Sequence, residues 1–151
     1  MKTAENILST KGNNIFSVPF DLPIKKTIDK MIEWKIGSII VEKNHQFIGL
    51  WTERDLMRNV QMPGFDIKTA KVGDYMLERL YTTSHESSIY ELMDKFLGLR
   101  VRHLLIENNG VFLGVLSIGD VMKSMINDKT EELKSLDKII NWEYYENWQW
   151  K

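Results

Sequence analysis

Thr52 and Asp55 stand three residues apart directly after an apolar run, and Ser117 and Asp120 repeat the arrangement 65 residues later. A hydroxyl followed at the third position by a carboxylate, where a strand gives way to a helix, has two chemistries open to it. One is structural. The hydroxyl accepts from an early helix N–H, and the carboxylate reaches back to the preceding backbone N–H, as in a capping box. The other is recognition. A helix start presents free N–H groups and partial positive charge, which suits a phosphate. A carboxylate there can accept two hydrogen bonds from a vicinal diol such as a ribose. Gly49 and Gly114, each shortly before its hydroxyl, let a flat ligand such as adenine approach the strand closely. Both readings stay open for the motif by itself. Arg54, between Thr52 and Asp55, can reach a phosphate, while its counterpart Gly119 cannot.

The elements that must position these residues follow from periodicity. Ile15-Phe16-Ser17-Val18 reads as a short strand. Asp21 or Leu22 is expected to cap a helix with Pro23 in its first turn, where the missing N–H costs nothing. Ile24, Ile28, Met31, Ile32 and Trp34 then keep helical spacing on a stripe wider than one face. Gly37 ends that helix. Ser38-Ile39-Ile40-Val41-Glu42 is a buried strand, Lys43-Asn44-His45-Gln46 a turn, and Phe47-Ile48-Gly49-Leu50-Trp51 its hairpin partner. Thr52 opens a helix that Met62-Pro63-Gly64-Phe65-Asp66 breaks.

The plan then recurs. Val72 to Met76 is a short helical lead-in, Leu80-Tyr81-Thr82-Thr83 a strand, and Ser87 the cap of a helix carrying Ile89, Leu92, Met93, Phe96 and Leu97. Arg102-His103-Leu104-Leu105-Ile106 is a strand, Asn108-Asn109-Gly110 a turn, and Val111 to Leu116 the next strand. Identical residues recur at the 65-residue offset: Asp29/Asp94, Lys30/Lys95, Glu42/Glu107, Asn44/Asn109, Phe47/Phe112, Gly49/Gly114, Asp55/Asp120 and Met57/Met122. The organising fact is therefore a duplicated strand-helix-strand-strand-helix unit, an α+β architecture. The expected divisions are residues 1–62, 68–128, and a third segment, 129–151. In that segment a helix carries Leu133, Leu136, Ile139 and Ile140, followed by a tail dense in Trp and Tyr. So many aromatic rings are not expected to stay solvated.

Two such units, "GLWTERDL" and "GVLSIGDV" in register with "VRHLLIENNGVFLGV" ahead of the second, resemble a tandem pair of CBS domains, a Bateman module. The resemblance covers about residues 1 to 128. It implies a three-stranded sheet with two helices per repeat and pseudo-symmetric packing of the repeats through their sheets. It also implies clefts between them for adenosine-containing ligands: AMP, ADP or ATP, with S-adenosylmethionine or NAD as rarer cases. Carried over by position, Asp55 and Asp120 match ribose-binding carboxylates, and Thr52 and Ser117 match hydroxyls contacting ribose or phosphate. Arg102 and His103 occupy positions where such modules place basic phosphate contacts; the first repeat has the uncharged Gly37-Ser38 there. Tyr81 and Thr82 lie where the chain contacts adenine, chiefly by backbone. The resemblance leaves open which motif shares a cleft with Arg102 and His103, and the two sites are expected to be unequal.

Bulk properties are consistent with this. The 151 residues carry a formal net charge of −1 with interspersed signs, so no basic stripe points to nucleic acid. No Cys is present, which excludes disulfides and thiolate metal sites. The N-terminus lacks a signal-peptide core, and no run is long and apolar enough to span a membrane. A cytoplasmic location is the expectation. Three His, no H-E-x-x-H and no glycine-rich phosphate loop leave no visible nucleophile or metal site, so catalysis is not expected. The expected role is a regulatory sensor, a homodimer through its helices, acting on an unidentified protein target in trans. The alternative is a ligand-free interaction module docking through its helices and aromatic tail.

Overall fold

A computed structural model of the chain describes residues 1–12 and 14–140, with side chains through Leu136. The aromatic tail anticipated over residues 141–151 lies outside the described residues. Helix α1 (Ala4–Lys11) leads into β1 (Ser17–Pro19), α2 (Ile24–Trp34), the hairpin β2 (Ser38–Lys43) and β3 (Gln46–Thr52), and α3 (Glu53–Asn59). A 3-10 turn (Val72–Asp74) precedes β4 (Thr82–Ser84), α4 (Ile89–Leu99), β5 (His103–Asn108), β6 (Val111–Ser117) and α5 (Ile118–Ile140). The result is two three-stranded sheets, ordered β1-β2-β3 and β4-β5-β6. In each, the first pair is parallel and the second an antiparallel hairpin. Both hairpins shift register at equivalent points, between Val41 and Glu42 and between Ile106 and Glu107. The duplication legible in the sequence is therefore kept down to the irregularities.

The apolar runs of β2 and β5 are continuous because each sheet is buried on both faces. Side chains alternate along a strand. Ile39 and Val41 enter the core of the first unit with Val18, Ile24, Met31 and Trp51. Leu104 and Ile106 enter that of the second with Leu92, Phe96 and Leu116. Ile40 and Leu105, between them, meet in a third core together with Leu50. The rings of Phe47 and Phe112, equivalent residues, meet there at 5.2 Å between centroids. A pair of this kind contributes about 0.5–1.5 kcal/mol beyond its area. The units thus join sheet to sheet, as expected.

Each unit is completed by the segment that precedes the other. Helix α1, which the sequence reading does not foresee, packs Ala4, Ile7 and Leu8 into the second core. Its first N–H groups, of Ala4 and Glu5, donate to the carbonyls of Ser87 and His85 at 2.9 and 3.0 Å. Val72 of the 3-10 turn is fully buried in the first core, and the N–H groups of Ile24 and Lys25 donate to Ala70 and Ile67 carbonyls at 2.8 Å each. Linker carbonyls therefore do the work expected of a capping side chain. Pro23 itself is the cap residue of α2, not Asp21 or Leu22, and makes no side-chain cap bond.

Other local readings shift by a residue or two. β1 begins at Ser17, not Ile15, and β4 at Thr82, not Leu80. Ser88 caps α4, accepting from the Glu91 N–H; Ser87 instead meets the Thr83 hydroxyl at 2.8 Å. α2 ends on Lys35 in the left-handed region (φ 56°), before Gly37, and Arg100 ends α4 the same way (φ 54°). The buried stripe of α2 is narrower than its apolar residues suggest, since Ile32 is 70% exposed. α5 continues without interruption across Lys129. No described helix is long and apolar enough to cross a membrane.

The two hairpin turns differ in one respect. Asn44-His45 and Asn109-Gly110 both have positive φ at both residues, as a type I′ turn requires. Glycine adopts this freely, whereas an L-residue bears a cost of about 1–2 kcal/mol, partly offset by its lower unfolded-state entropy. His45→Gly is expected to stabilise the protein by up to about 1 kcal/mol, read as a raised urea midpoint with an unchanged slope. A lowered midpoint would mean that His45 holds the turn by contacts of its own.

Candidate functional site

The strand-to-helix motifs are real capping boxes. The Thr52 hydroxyl accepts from the Asp55 N–H at 3.3 Å, and Asp55 Oδ2 accepts from the Thr52 N–H and hydroxyl, both at 2.9 Å. Ser117 and Asp120 repeat this, with the Ser117 N–H donating to Asp120 Oδ2 at 2.8 Å and the Asp120 N–H donating to the Ser117 hydroxyl at 3.1 Å. Each helix also gives its first N–H to the preceding strand's approach: Glu53 to the Gly37 carbonyl and Ile118 to the Arg102 carbonyl, both at 3.0 Å. Two of the early N–H groups that make a helix start attractive to phosphate are thus already occupied in each repeat. Any phosphate must be met chiefly by side chains.

Those side chains converge on one cleft of about 580 Å³ between the repeats. Thr52, Glu53, Arg54, Asp55 and Arg58 line one wall from the first repeat. Arg79, Leu80, Tyr81, Arg100, Val101, Arg102 and His103 line the other from the second, with Leu50 and Leu105 from the sheet junction between them. The question the sequence leaves open is answered by the fold: Arg102 and His103 face the first motif, Thr52/Asp55. The two tight helix ends at Lys35 and Arg100 explain the wall, since the left-handed residue turns the chain sharply into the next strand. Five arginines stand against two carboxylates, Glu53 and Asp55, in this cleft. The Arg79 guanidinium also lies 5.1 Å from the Tyr81 ring.

Asp55 is 4% exposed. Its Oδ2 is engaged in the cap, while Oδ1 faces the Arg58 guanidinium at 3.7 Å. The cap therefore occupies one oxygen of the carboxylate and leaves the other out of it. Thr82 is exposed on β4 and does not line the cleft. Ser117 and Asp120 do not line it either; Asp120 Oδ2 accepts from Lys11 Nζ of α1 at 2.8 Å. Arg58, Arg79 and Arg100 are cleft residues that the sequence reading passes over. Two of them carried a signal, since Arg58/Lys123 and Lys35/Arg100 are basic at the 65-residue offset.

The chain matches the family model of the CBS domain twice, over residues 4–61 and 72–127. It belongs to the CBS-domain family. The two matched stretches coincide with the two sheets and their helices. The chain is 30% identical over 151 residues to the mitochondrial CBS domain-containing protein CBSX3 of Arabidopsis thaliana, covering 94% of this chain and 73% of that one. A solved CBS-domain protein of Burkholderia ambifaria, assigned to signal transduction, is 30% identical with a TM-score of 0.78, covering 84% and 96% of the two chains. A hexameric CBS-CP12 protein from bloom-forming cyanobacteria shares the fold at 20% identity and a TM-score of 0.70, over 92% and 88%. A CBS pair is a regulatory, signal-transduction type of module.

Two titratable groups at the repeat junction are shifted. Burial pushes the His103 imidazole below its ordinary 6.5, helped by Lys11 and Arg102 and opposed by Asp120 and Asp55. Burial alone would raise the Asp120 carboxyl, but the hydrogen bonds from Lys11 and Ser117 and the Lys11 charge outweigh it, leaving the group below 3.8. The signs separate two pH windows. Below pH 6.5 the unfolded chain takes up a proton that folded His103 resists, so stability falls on acidification. The Asp120 contribution is present above pH 3.8 and is lost only as pH falls through its lower folded value. Melting temperature is therefore expected to fall between pH 7.5 and pH 5.5, and less steeply in His103→Gln. Parallel profiles for the two proteins would show that His103 protonates as freely folded as unfolded.

Proposed function

We propose that this CBS pair is a regulatory sensor that binds an adenosine nucleotide, without catalysis, in the cleft between Thr52/Asp55 and Arg102/His103. The observation that carries the reading is the composition of that one cleft. A carboxylate at a strand edge stands opposite a wall of guanidinium groups. Asp55 Oδ1 is suited to accept from a ribose diol. Arg54, Arg79, Arg100 and Arg102 are suited to phosphate oxygens, because a guanidinium offers a planar fork of donors. Tyr81, Leu80 and Val101 offer an apolar surface for a base. Since the cleft walls come from different repeats, a ligand bridging them would favour one mutual angle over others. That differential affinity is what a sensor requires.

The arginine excess favours ADP or ATP over AMP, and all three over S-adenosylmethionine, whose sulfonium is cationic. A neutral His103 gains from a phosphate only once protonated, so nucleotide affinity should rise modestly as pH falls toward 6.

A specific observation also supports a homodimer with a protein target in trans. Ile32 and Met57 on helices of the first repeat, Val60 just past the end of α3, and Leu97, Met122 and Ile126 on helices of the second are exposed, where a two-fold helix bundle would cover them. A cytoplasmic location belongs to the same proposal. The same face supports the second reading, a ligand-free interaction module.

Thermal melting with AMP, ADP, ATP, NAD and S-adenosylmethionine separates the two readings. A ligand at ~100 times its Kd should add ~2.7 kcal/mol of stability. Arg102→Ala is expected to weaken ATP binding about tenfold, the size of one lost charge-assisted contact, with the apo melting temperature nearly unchanged. Asp55→Asn should weaken every adenosine ligand alike. No shift with any of the five ligands would leave the interaction module as the standing reading.

A further inference from the structure

The two motifs are not in the same state. In the first repeat, the backbone of Leu77 pairs with Leu50 in both directions, at 2.8 and 2.9 Å, and so closes the strand edge beside the motif. Arg79, two residues on, is left to line the open cleft. In the second repeat the equivalent strand residue is Val115, and its carbonyl accepts from Lys11 Nζ at 3.1 Å. The same ammonium donates to Asp120 Oδ2 at 2.8 Å. Lys11 and Arg79 hold the same place in their lead-in segments, 68 residues apart, as do Ala4 and Val72, where the two family matches begin. One lead-in sends its cation to a cleft wall, and the other bridges strand edge and carboxylate.

We propose that Lys11 is an internal occupant of the second motif, closing it to the ribose of a nucleotide, so that the chain binds one nucleotide rather than two. An ammonium within hydrogen-bond distance of both the β6 edge and the Asp120 carboxylate stands in the gap that a ribose held by that carboxylate would fill. The contact is partly sheltered, with the Asp120 side chain 25% exposed. It is held in place by helix α1, whose Ala4, Ile7 and Leu8 are buried. Leu8 also lies against Gly114, where an added Cβ would come within 2.9 Å of it. An incoming ligand must therefore displace both a charged hydrogen bond and a packed helix end.

The inference rests on the nucleotide reading above, and calorimetric titration with AMP, which carries the diol and a single phosphate, separates the two. The expected result is one AMP per chain for the natural protein and two for Lys11→Met, which removes the ammonium and keeps the apolar stem. Lys11→Arg, which restores a cation, should return the count to one. A Lys11→Met protein that still binds one AMP overturns the proposal. So does one that loses the AMP the natural protein binds, since Lys11 would then be a ligand contact. If the natural protein binds none, the nucleotide reading of the first cleft fails. The proposal is then upheld only if Lys11→Met gains a site, and is overturned if it does not. Should Lys11→Met fail to fold, Lys11→Gln serves the same titration.

Discussion

Burial of each sheet on both faces is the constraint on which the rest depends. A three-stranded sheet with helices on one side leaves its other face exposed, and Ile40, Leu50 and Leu105 must find cover there. They find it in each other. This sheet-to-sheet junction, with the Phe47 ring tilted against that of Phe112, holds the repeats together. It also explains why the unit occurs twice in one chain: either copy alone would present that apolar face to water. The exchanged lead-ins reinforce the arrangement, because α1 belongs to the second core and the 3-10 turn to the first.

The clefts are a consequence of that junction. The described cleft lies beside the junction, where Leu50 and Leu105 reach its lining next to the first motif. The first motif then faces the strand entry of the other repeat, where Arg102 and His103 lie. That cleft carries five arginines against two carboxylates. Duplication kept the frame, but charged positions near the motifs diverged: Arg102-His103 against Gly37-Ser38, and Arg54 against Gly119. Regulation by such a module requires a ligand that binds one mutual angle of the repeats better than another, because a ligand indifferent to their angle transmits nothing.

The capping box at Thr52 and Asp55 leaves one carboxylate oxygen outside the cap. Oδ2 of Asp55 anchors the helix start, and the carboxylate is thereby held rigidly at a strand edge with Oδ1 toward the cleft. Caps of this kind contribute about 0.5–2 kcal/mol, so the structural role by itself accounts for the motif. It is the company of the motif, not the motif, that separates the two cases. Asp55 has guanidinium groups opposite it. Asp120 has an ammonium from its own chain upon it.

The sequence by itself determined the duplicated α+β unit, the position of both hairpins, the helix starts at Thr52 and Ser117, and the burial of β2. These depend on short-range periodicity and on residue types repeated at one offset, which a chain records directly. It did not determine helix α1, the linker carbonyls that replace a cap on α2, or the pairing of Arg102 and His103 with Asp55 and of Lys11 with Asp120. Ala4, Ile7 and Leu8 make too short a stripe to announce a helix, and it is stable only because the second core receives it. The pairings join residues about 50 to 110 positions apart. Nothing local to either partner specifies the other, so only the packing of the two sheets decides which charges share a cleft.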